Sequence, residues 1–262
     1  MPYVTSWYDK YKDQGFVVVG VHTPEFEFEK NTDNVLSAIA QYKIHYPVAQ
    51  DNDYKTWDAY SNQYWPADYL IDARGNVRDV HFGEGNYDKT EQAIKALLAE
   101  AGAAVDNNLV NIADQAPKGN LTPETYLGTA RMERFSSNEK VSGGVQNYTL
   151  PDNLGEGSFA YQGVWDVQAE FARAQAGSEL FFNFNASKVY LVMHPGSAGE
   201  KVRVYLDGKL VDSQSAGEDA GGGEVVLDRD RLYSLINLKG SGRHLLRLEF
   251  SGSTSVYAFT FG

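Results

Sequence analysis

The stretch with the clearest chemical address is Tyr64-Trp65-Pro66-Ala67-Asp68-Tyr69-Leu70-Ile71-Asp72. An aromatic residue and a proline lead straight into a short apolar strand. An X–Pro bond placed there is a candidate for the cis isomer, because proline cuts the trans preference to about 0.5–1 kcal/mol. The alternative is an ordinary turn before a hairpin, and the motif by itself leaves both open. Cysteine is absent, which excludes disulfides, thiolate metal ligands and thiol catalysis by these residues. His22, Glu25, Glu27 and Glu29 could donate to a metal. The alternation of Glu and Phe from Glu25 to Glu29 reads more simply as an extended stretch with a solvated acidic face, so no metal is expected. Glu84 stands between two glycines just past a strand end. A structural contact or a loop acid is preferred there to a proton-transfer role. His45, His81, His194 and His244 are scattered, with no ligand spacing. In the second half, Tyr148, Tyr161 and Trp165 are candidates for a sugar-stacking platform. Phe182 and Phe184 share one strand face and read as core. Nothing calls for a cofactor.

The elements that must position these residues follow from length and pattern. At about 100–200 residues per domain, 262 residues predict two domains. A formal net charge of −12 argues against nucleic acid or an anionic membrane as partner, since either needs a basic stripe. No apolar run approaches the roughly 20 residues that span a bilayer, and no signal peptide opens the sequence. Val4, Trp7, Tyr8 and Tyr11 fall at helical spacing, so a helix is expected from Pro2 to Gln14. Phe16 to Val21 reads as a strand buried on both faces. A helix capped by Thr32, Asp33 or Asn34 follows, then an extended Tyr46-Pro47-Val48-Ala49 and a helix capped by Asp53. Asp68–Asp72 and Val77–Phe82 are strands around the turn Ala73-Arg74-Gly75-Asn76. Asp88-Lys89-Thr90-Glu91 has the form of a capping box, opening a helix that buries Ile94, Leu97, Leu98 and Ala101.

The first domain, 1–102, is therefore α/β with covered sheet faces. Residues 103–120 have no apolar period and read as a linker. From Leu121 to Gly262 the pattern changes to short strand-like runs between Gly, Ser, Asn and Asp turns: Phe159–Val164, Leu180–Phe184, Val189–Met193, Val202–Leu206, His244–Phe250 and Val256–Phe261. Asp207-Gly208 is a hairpin signal. These predict an all-β sandwich of jelly-roll type.

Set in order, these motifs resemble one family closely. Val17–His22 with Thr23-Pro24-Glu25-Phe26, then Tyr64–Asp72, His81-Phe82-Gly83-Glu84-Gly85, Leu121-Thr122-Pro123-Glu124-Thr125-Tyr126-Leu127-Gly128 and Tyr257–Gly262 are similar to the C-terminal region of DipZ proteins. The resemblance implies a thioredoxin-like, TlpA-like domain followed by a β-sandwich similar to carbohydrate-binding modules. It implies thiol–disulfide exchange outside the cytoplasm, in periplasm or cell envelope, of the disulfide-reducing and cytochrome c biogenesis type. It implies protein disulfide substrates and a DsbD-like membrane electron donor. Within it, Trp65 and Pro66 are the substrate-binding cis-proline loop, and Glu84 lies at the active-site edge. The sequence departs from the family in lacking the first thioredoxin strand and the Cys-x-x-Cys. The missing strand belongs between Phe16–Val21 and Asp68–Asp72. No thiol exchange is expected from residues 1–262 alone. The competing expectation is a non-catalytic protein that binds carbohydrate or a protein partner through the β-sandwich.

Overall fold

The computed structural model describes residues 1–112 and 120–262. The chain divides into two compact units, Met1–Ala116 and Pro117–Gly262. The first is α/β in the expected order: α1 (Pro2–Tyr11), β1 (Gly20–His22), α2 (Thr32–Gln41), β2 (Val48–Gln50), α3 (Lys55–Ala59), β3 (Ala67–Ile71), β4 (Val77–Phe82) and α4 (Tyr87–Glu100). Pro2 sits in the first turn of α1, where its missing N–H costs nothing. The helix passes through a 3₁₀ turn, Lys12–Gln14, and stops at Gly15, whose φ of 93° lies in the left-handed region. Tyr3, Trp7 and Tyr11 form its buried stripe, against Ile94 and Leu98 of α4. Val4 and Tyr8, expected inside, are half-buried.

The strands of this unit form two separate pairs. β1 runs parallel to β2, with Gly20 opposite Val48 and His22 opposite Gln50. β3 runs antiparallel to β4, with Ala67 opposite Phe82. Each of β1 and β3 therefore has one paired edge and one unpaired edge among the described residues. This corrects the reading of Phe16–Val21 as a strand buried on both faces. Val17 and Val19 are 73% and 58% exposed, because no element covers that side. The stretch Glu25–Glu29 is corrected too. Glu27–Lys30 is a 3₁₀ turn, and burial pushes the half-buried Glu29 carboxyl upward.

Three caps differ from expectation. Asn31, not Thr32, Asp33 or Asn34, caps α2 by accepting the Asp33 N–H at 2.9 Å. Asp51, not Asp53, caps α3. It accepts the N–H groups of Thr56 at 2.9 Å and Trp57 at 2.8 Å and the Thr23 hydroxyl at 3.2 Å. The expected capping box on α4 does not form, because the helix begins at Tyr87 after Asn86. Glu91 points inward instead and is 1% exposed. Its carboxylate accepts from Tyr11 Oη at 2.6 Å, Trp7 Nε1 at 3.2 Å, Lys10 Nζ at 3.2 Å and the Val110 N–H at 2.9 Å. Burial opposes ionisation there, but these donors outweigh it and hold the carboxyl below its ordinary range.

The same contacts tie down the beginning of the stretch read as a linker. Val105, Val110 and Ile112 pack on the α1–α4 cluster, and Tyr3 Oη donates to the Ile112 carbonyl at 2.7 Å. Residues 103–112 are thus part of the first unit. The rest of that stretch, 113–119, lies outside the described residues.

The second unit is all-β: β5 (Thr125–Tyr126), β6 (Gly144–Tyr148), β7 (Phe159–Val167), β8 (Ala172–Ala174), β9 (Glu179–His194), β10 (Lys201–Leu206), β11 (Lys209–Leu210), β12 (Glu224–Val226), β13 (Arg231–Phe250) and β14 (Ser255–Phe261). Its ten strands form one connected sheet that wraps a single core, the sandwich that the turn spacing predicts. Leu180–Phe184 and Val189–Met193, expected as two strands, fuse into the 16-residue β9. The N-terminal part of β9 pairs with β7 and its C-terminal part with β14, while β13 follows it throughout. Alternate residues are fully buried from Leu180 to Ala186 and, after a break at Ser187–Lys188, from Val189 to Met193, the period-2 mark of a strand with one covered face. The Asp207-Gly208 hairpin forms as read, with φ of 50° and 79°, joining β10 to β11.

Candidate functional site

The Trp65–Pro66 peptide bond is cis. The loop that it opens is held from two sides. The Gly83 N–H donates to the Pro66 carbonyl at 2.9 Å, and Trp65 Nε1 donates to the Thr23 carbonyl at 3.2 Å. The second bond ties the loop to the end of β1. The Trp65 ring lies 4.2 Å from that of Trp57 yet stays 46% exposed. Tyr64 packs on Phe82 at 5.0 Å, and both are about half exposed. The loop thus carries an aromatic surface open to solvent, beside the unpaired edge of β3.

Behind it lies a cluster of ionisable groups. Asp68, on β3, faces His81 on β4 across the pair. Burial pushes the Asp68 carboxyl above its ordinary range, His81 opposes this and Glu84 adds to it. His81 Nε2 is buried with no hydrogen-bond partner. Glu84 accepts a hydrogen bond from Tyr87 Oη, and the Tyr87 ring stacks on Tyr3 of α1 at 3.9 Å. Tyr46 Oη reaches Met1 Sδ at 3.8 Å, and burial, with a smaller contribution from Asp68, raises its pKa. The first turn of α1, the Pro66 loop, Asp68 and Glu84 therefore share one end of the unit. A half-buried acid beside an open surface, next to the start of a helix, can hold or pass a proton to a group bound there.

The sign of the Asp68 shift sets an expectation. A carboxyl whose folded pKa is raised stabilises the fold most below its unfolded pKa, about 3.9, and this is lost as pH rises through the folded value. Asp68→Asn should therefore raise the melting midpoint of the first unit at pH 7, by about 3 °C. The two proteins should converge below pH 4. Thermal unfolding followed by tryptophan fluorescence at pH 3.5 and 7 checks this. A lower midpoint for the variant at pH 7 would count against the buried-acid reading.

The other candidates fare differently. Tyr148, Tyr161 and Trp165 lie in the core of the second unit, 1%, 0% and 0% exposed. Tyr161 stacks on Trp165 at 4.4 Å and donates to the Leu127 carbonyl. No ring face is left for a sugar, which corrects the platform. Apolar strand alternation outweighs the aromatic signal in that segment. Phe182 and Phe184 are core, as read. His22 Nε2 meets the Glu29 carbonyl at 3.0 Å, and no cluster of metal-ligating side chains occurs among the described residues. Sequence reading passed over Asp51 and gave Glu91 only a capping role. A single acid carries no periodic signal, and only its partners reveal it.

Residues 122–262, over half of the chain, match the family described as Thioredoxin like C-terminal domain. The whole chain aligns with Protein DipZ of Mycobacterium bovis, 36% identical over 266 residues and spanning 36% of that protein. The chain belongs to the DipZ-like, thioredoxin-like proteins. It covers little more than a third of the length of those relatives. Thiol-disulfide oxidoreductase YkuV of Bacillus subtilis is 34% identical over 100 residues, 38% of this chain and 67% of that protein. A solution structure of a thioredoxin-like protein in the oxidized form is 33% identical. It covers 38% of this chain and 66% of that one, with a TM-score of 0.35. The DipZ-like chain is thus of the thioredoxin-like oxidoreductase family, without a cysteine of its own. No helix among its described residues is long and apolar enough to cross a membrane.

Proposed function

We propose that these residues form the substrate-docking part of an extracytoplasmic thiol–disulfide oxidoreductase whose nucleophilic thiols are supplied from outside residues 1–262. The observation that supports this reading is that β1 and β3 each keep one edge without a strand partner among the described residues, with Trp65 tying the Pro66 loop to Thr23 just past β1. A strand paired to those edges would deliver the residues that follow it to the first turn of α1. There they would meet Trp65, Pro66, Asp68 and Glu84. A thiol at a helix N-terminus has its thiolate favoured by the helix dipole, and thiolate is the attacking form. It would attack one sulfur of a protein disulfide, giving a mixed disulfide and releasing the other sulfur as thiolate. A second thiol would then resolve it. The exposed aromatic loop would hold the extended substrate, and the half-buried Asp68 with Glu84 would take up or return the proton. A protein disulfide is the substrate class, and a DsbD-like membrane carrier is the electron donor in this reading.

The test is insulin reduction by dithiothreitol. Residues 1–262 should match the blank. The same chain preceded by a strand ending in W-x-x-x-C-x-x-C should precipitate insulin at least tenfold faster than the blank. An extended chain that folds and stays inert would overturn the proposal.

A further inference from the structure

A second candidate site lies at one end of the β-sandwich. Arg173 on β8, Ser255 on β14 and His194 on β9 are directly opposite one another across three adjacent strands. Directly opposed residues of antiparallel strands project to the same side. Their neighbours Ala172, Val256 and Met193 fill the core, so this row points to the other face of the sheet, where Ser255 is covered and Arg173 and His194 are partly exposed. Arg173 and His194 line a cavity of about 400 Å³ with Gly196, Ser197, Glu200 and Ser253.

The hydrogen bonds in this cavity leave one kind of group unused. Glu200 is saturated as an acceptor: it takes the N–H groups of Gly196, Ser197 and Ser253 and the hydroxyls of Ser197 and Thr254. It shapes the loops and has little left for a ligand. Arg173 Nε donates to Ser255 Oγ at 3.1 Å, and the guanidinium lies 5.1 Å from the Phe171 ring centre. That fixes the side chain and leaves its two terminal NH₂ groups without a hydrogen bond among the described residues. An end-on guanidinium fork matches the two oxygens of a carboxylate. His194 Nδ1 pairs with the Asp230 carboxylate, which places the proton on Nδ1 and leaves Nε2 as a lone-pair acceptor in the neutral ring. Adjacent strands are about 4.8 Å apart, so the Arg173 and His194 backbones, two strands apart, are separated by about 10 Å. One monosaccharide-sized ligand bridges that span.

We infer that this cavity binds a hydroxy-carboxylate of sugar-acid size, its carboxylate on the Arg173 fork and a ligand hydroxyl donating to His194 Nε2. Ser255 sets the guanidinium, Asp230 sets the imidazole, and the two contacts together select an acid that also carries hydroxyls. The site is independent of the proposed thiol chemistry and does not depend on its outcome.

The test uses the full chain, with D-glucuronate, acetate and D-glucose as probes, followed by NMR shifts of the Arg173, Gly196 and His194 signals. Glucuronate should give a saturable shift, acetate should bind at least tenfold more weakly, and glucose should give no saturation. Arg173→Gln should weaken glucuronate at least tenfold. His194→Ala should retain carboxylate binding but lose the preference for glucuronate over acetate. Because Arg173 is partly exposed, both variants should keep the thermal midpoint of the second unit. The proposal is overturned if glucuronate does not saturate these signals in the unaltered chain. It is also overturned if saturation is unchanged in a folded Arg173→Gln, or if glucose binds as tightly as glucuronate.

Discussion

Glu91→Ala is expected to destabilise the first unit by about 3–5 kcal/mol, the range found when one partner of a buried ion pair is removed. The carboxylate is 1% exposed and serves Trp7, Lys10, Tyr11 and Val110 at once. Removing it strands buried donors on α1 and releases the chain around Val110 from the helix layer. Domains of this size hold about 5–15 kcal/mol in total, so the loss is a large part of their stability. The readout is hydrogen exchange in the full chain. Peptides from residues 1–112 should lose protection, while those from 121–262 keep theirs. Glu91→Gln adds a pH test. The Glu91 carboxyl is held below its ordinary range, so its ionised form stabilises the fold above the unfolded pKa, about 4.3. That contribution is lost as pH falls through the folded value. The gap between wild type and Glu91→Gln should therefore be full at pH 7 and close toward low pH. A gap that does not change with pH would show that the hydrogen bonds, not the charge, carry the effect.

Pairing the free edges of β1 and β3 with an added strand is expected to have the second large effect. Each edge offers backbone donors and acceptors with no strand partner, and Val17, Val19 and Val21 are exposed beside it. A strand joined ahead of Met1 would add several hydrogen bonds, each worth about 0.5–1.5 kcal/mol net, and cover those valines. The midpoint of the first unit should rise by more than about 10 °C. Amides of β1 and β3 should exchange at least tenfold more slowly. The same strand should reduce self-association, since open strand edges pair with other chains. If a folded, extended protein shows unchanged exchange at Gly20–His22 and Ala67–Ile71, the two strand pairs are not halves of one interrupted sheet.

Much of this molecule is legible without coordinates, and the reason is periodicity. Trp7 and Tyr11 of α1, Ile94 and Leu98 of α4, the hairpin at Asp207-Gly208 and the alternation in β9 follow spacings that binary patterning records directly, although Ala101, expected in the α4 stripe, is exposed and Leu97 is half-buried. Residue types marked the Trp65-Pro66 bond as a cis candidate, and the bond is cis. What failed to read shares one cause. Caps, buried acids and ligand-facing rings are single residues whose role depends on what lies across from them. The sequence offers Asp53 as the cap of α3, and only the chain path puts the Asp51 carboxylate under Thr56 and Trp57 instead. Glu91 fits a capping box by spacing, yet α4 begins earlier and turns it inward.

The sequence by itself determined the two fold classes, the order of elements, the absence of any thiol and the position of the proline loop, because each is set by local type and spacing. Tertiary structure decided the rest. It moved Tyr148, Tyr161 and Trp165 from a surface platform into the core, since strand alternation fixes which face is buried and a ring cannot serve both. It attached residues 103–112 to the first unit, through a carboxylate 12 residues or more away. It set Arg173, Ser255 and His194 side by side although Ser255 lies 82 residues beyond Arg173 along the chain, because strand register, not sequence distance, makes neighbours in a sheet.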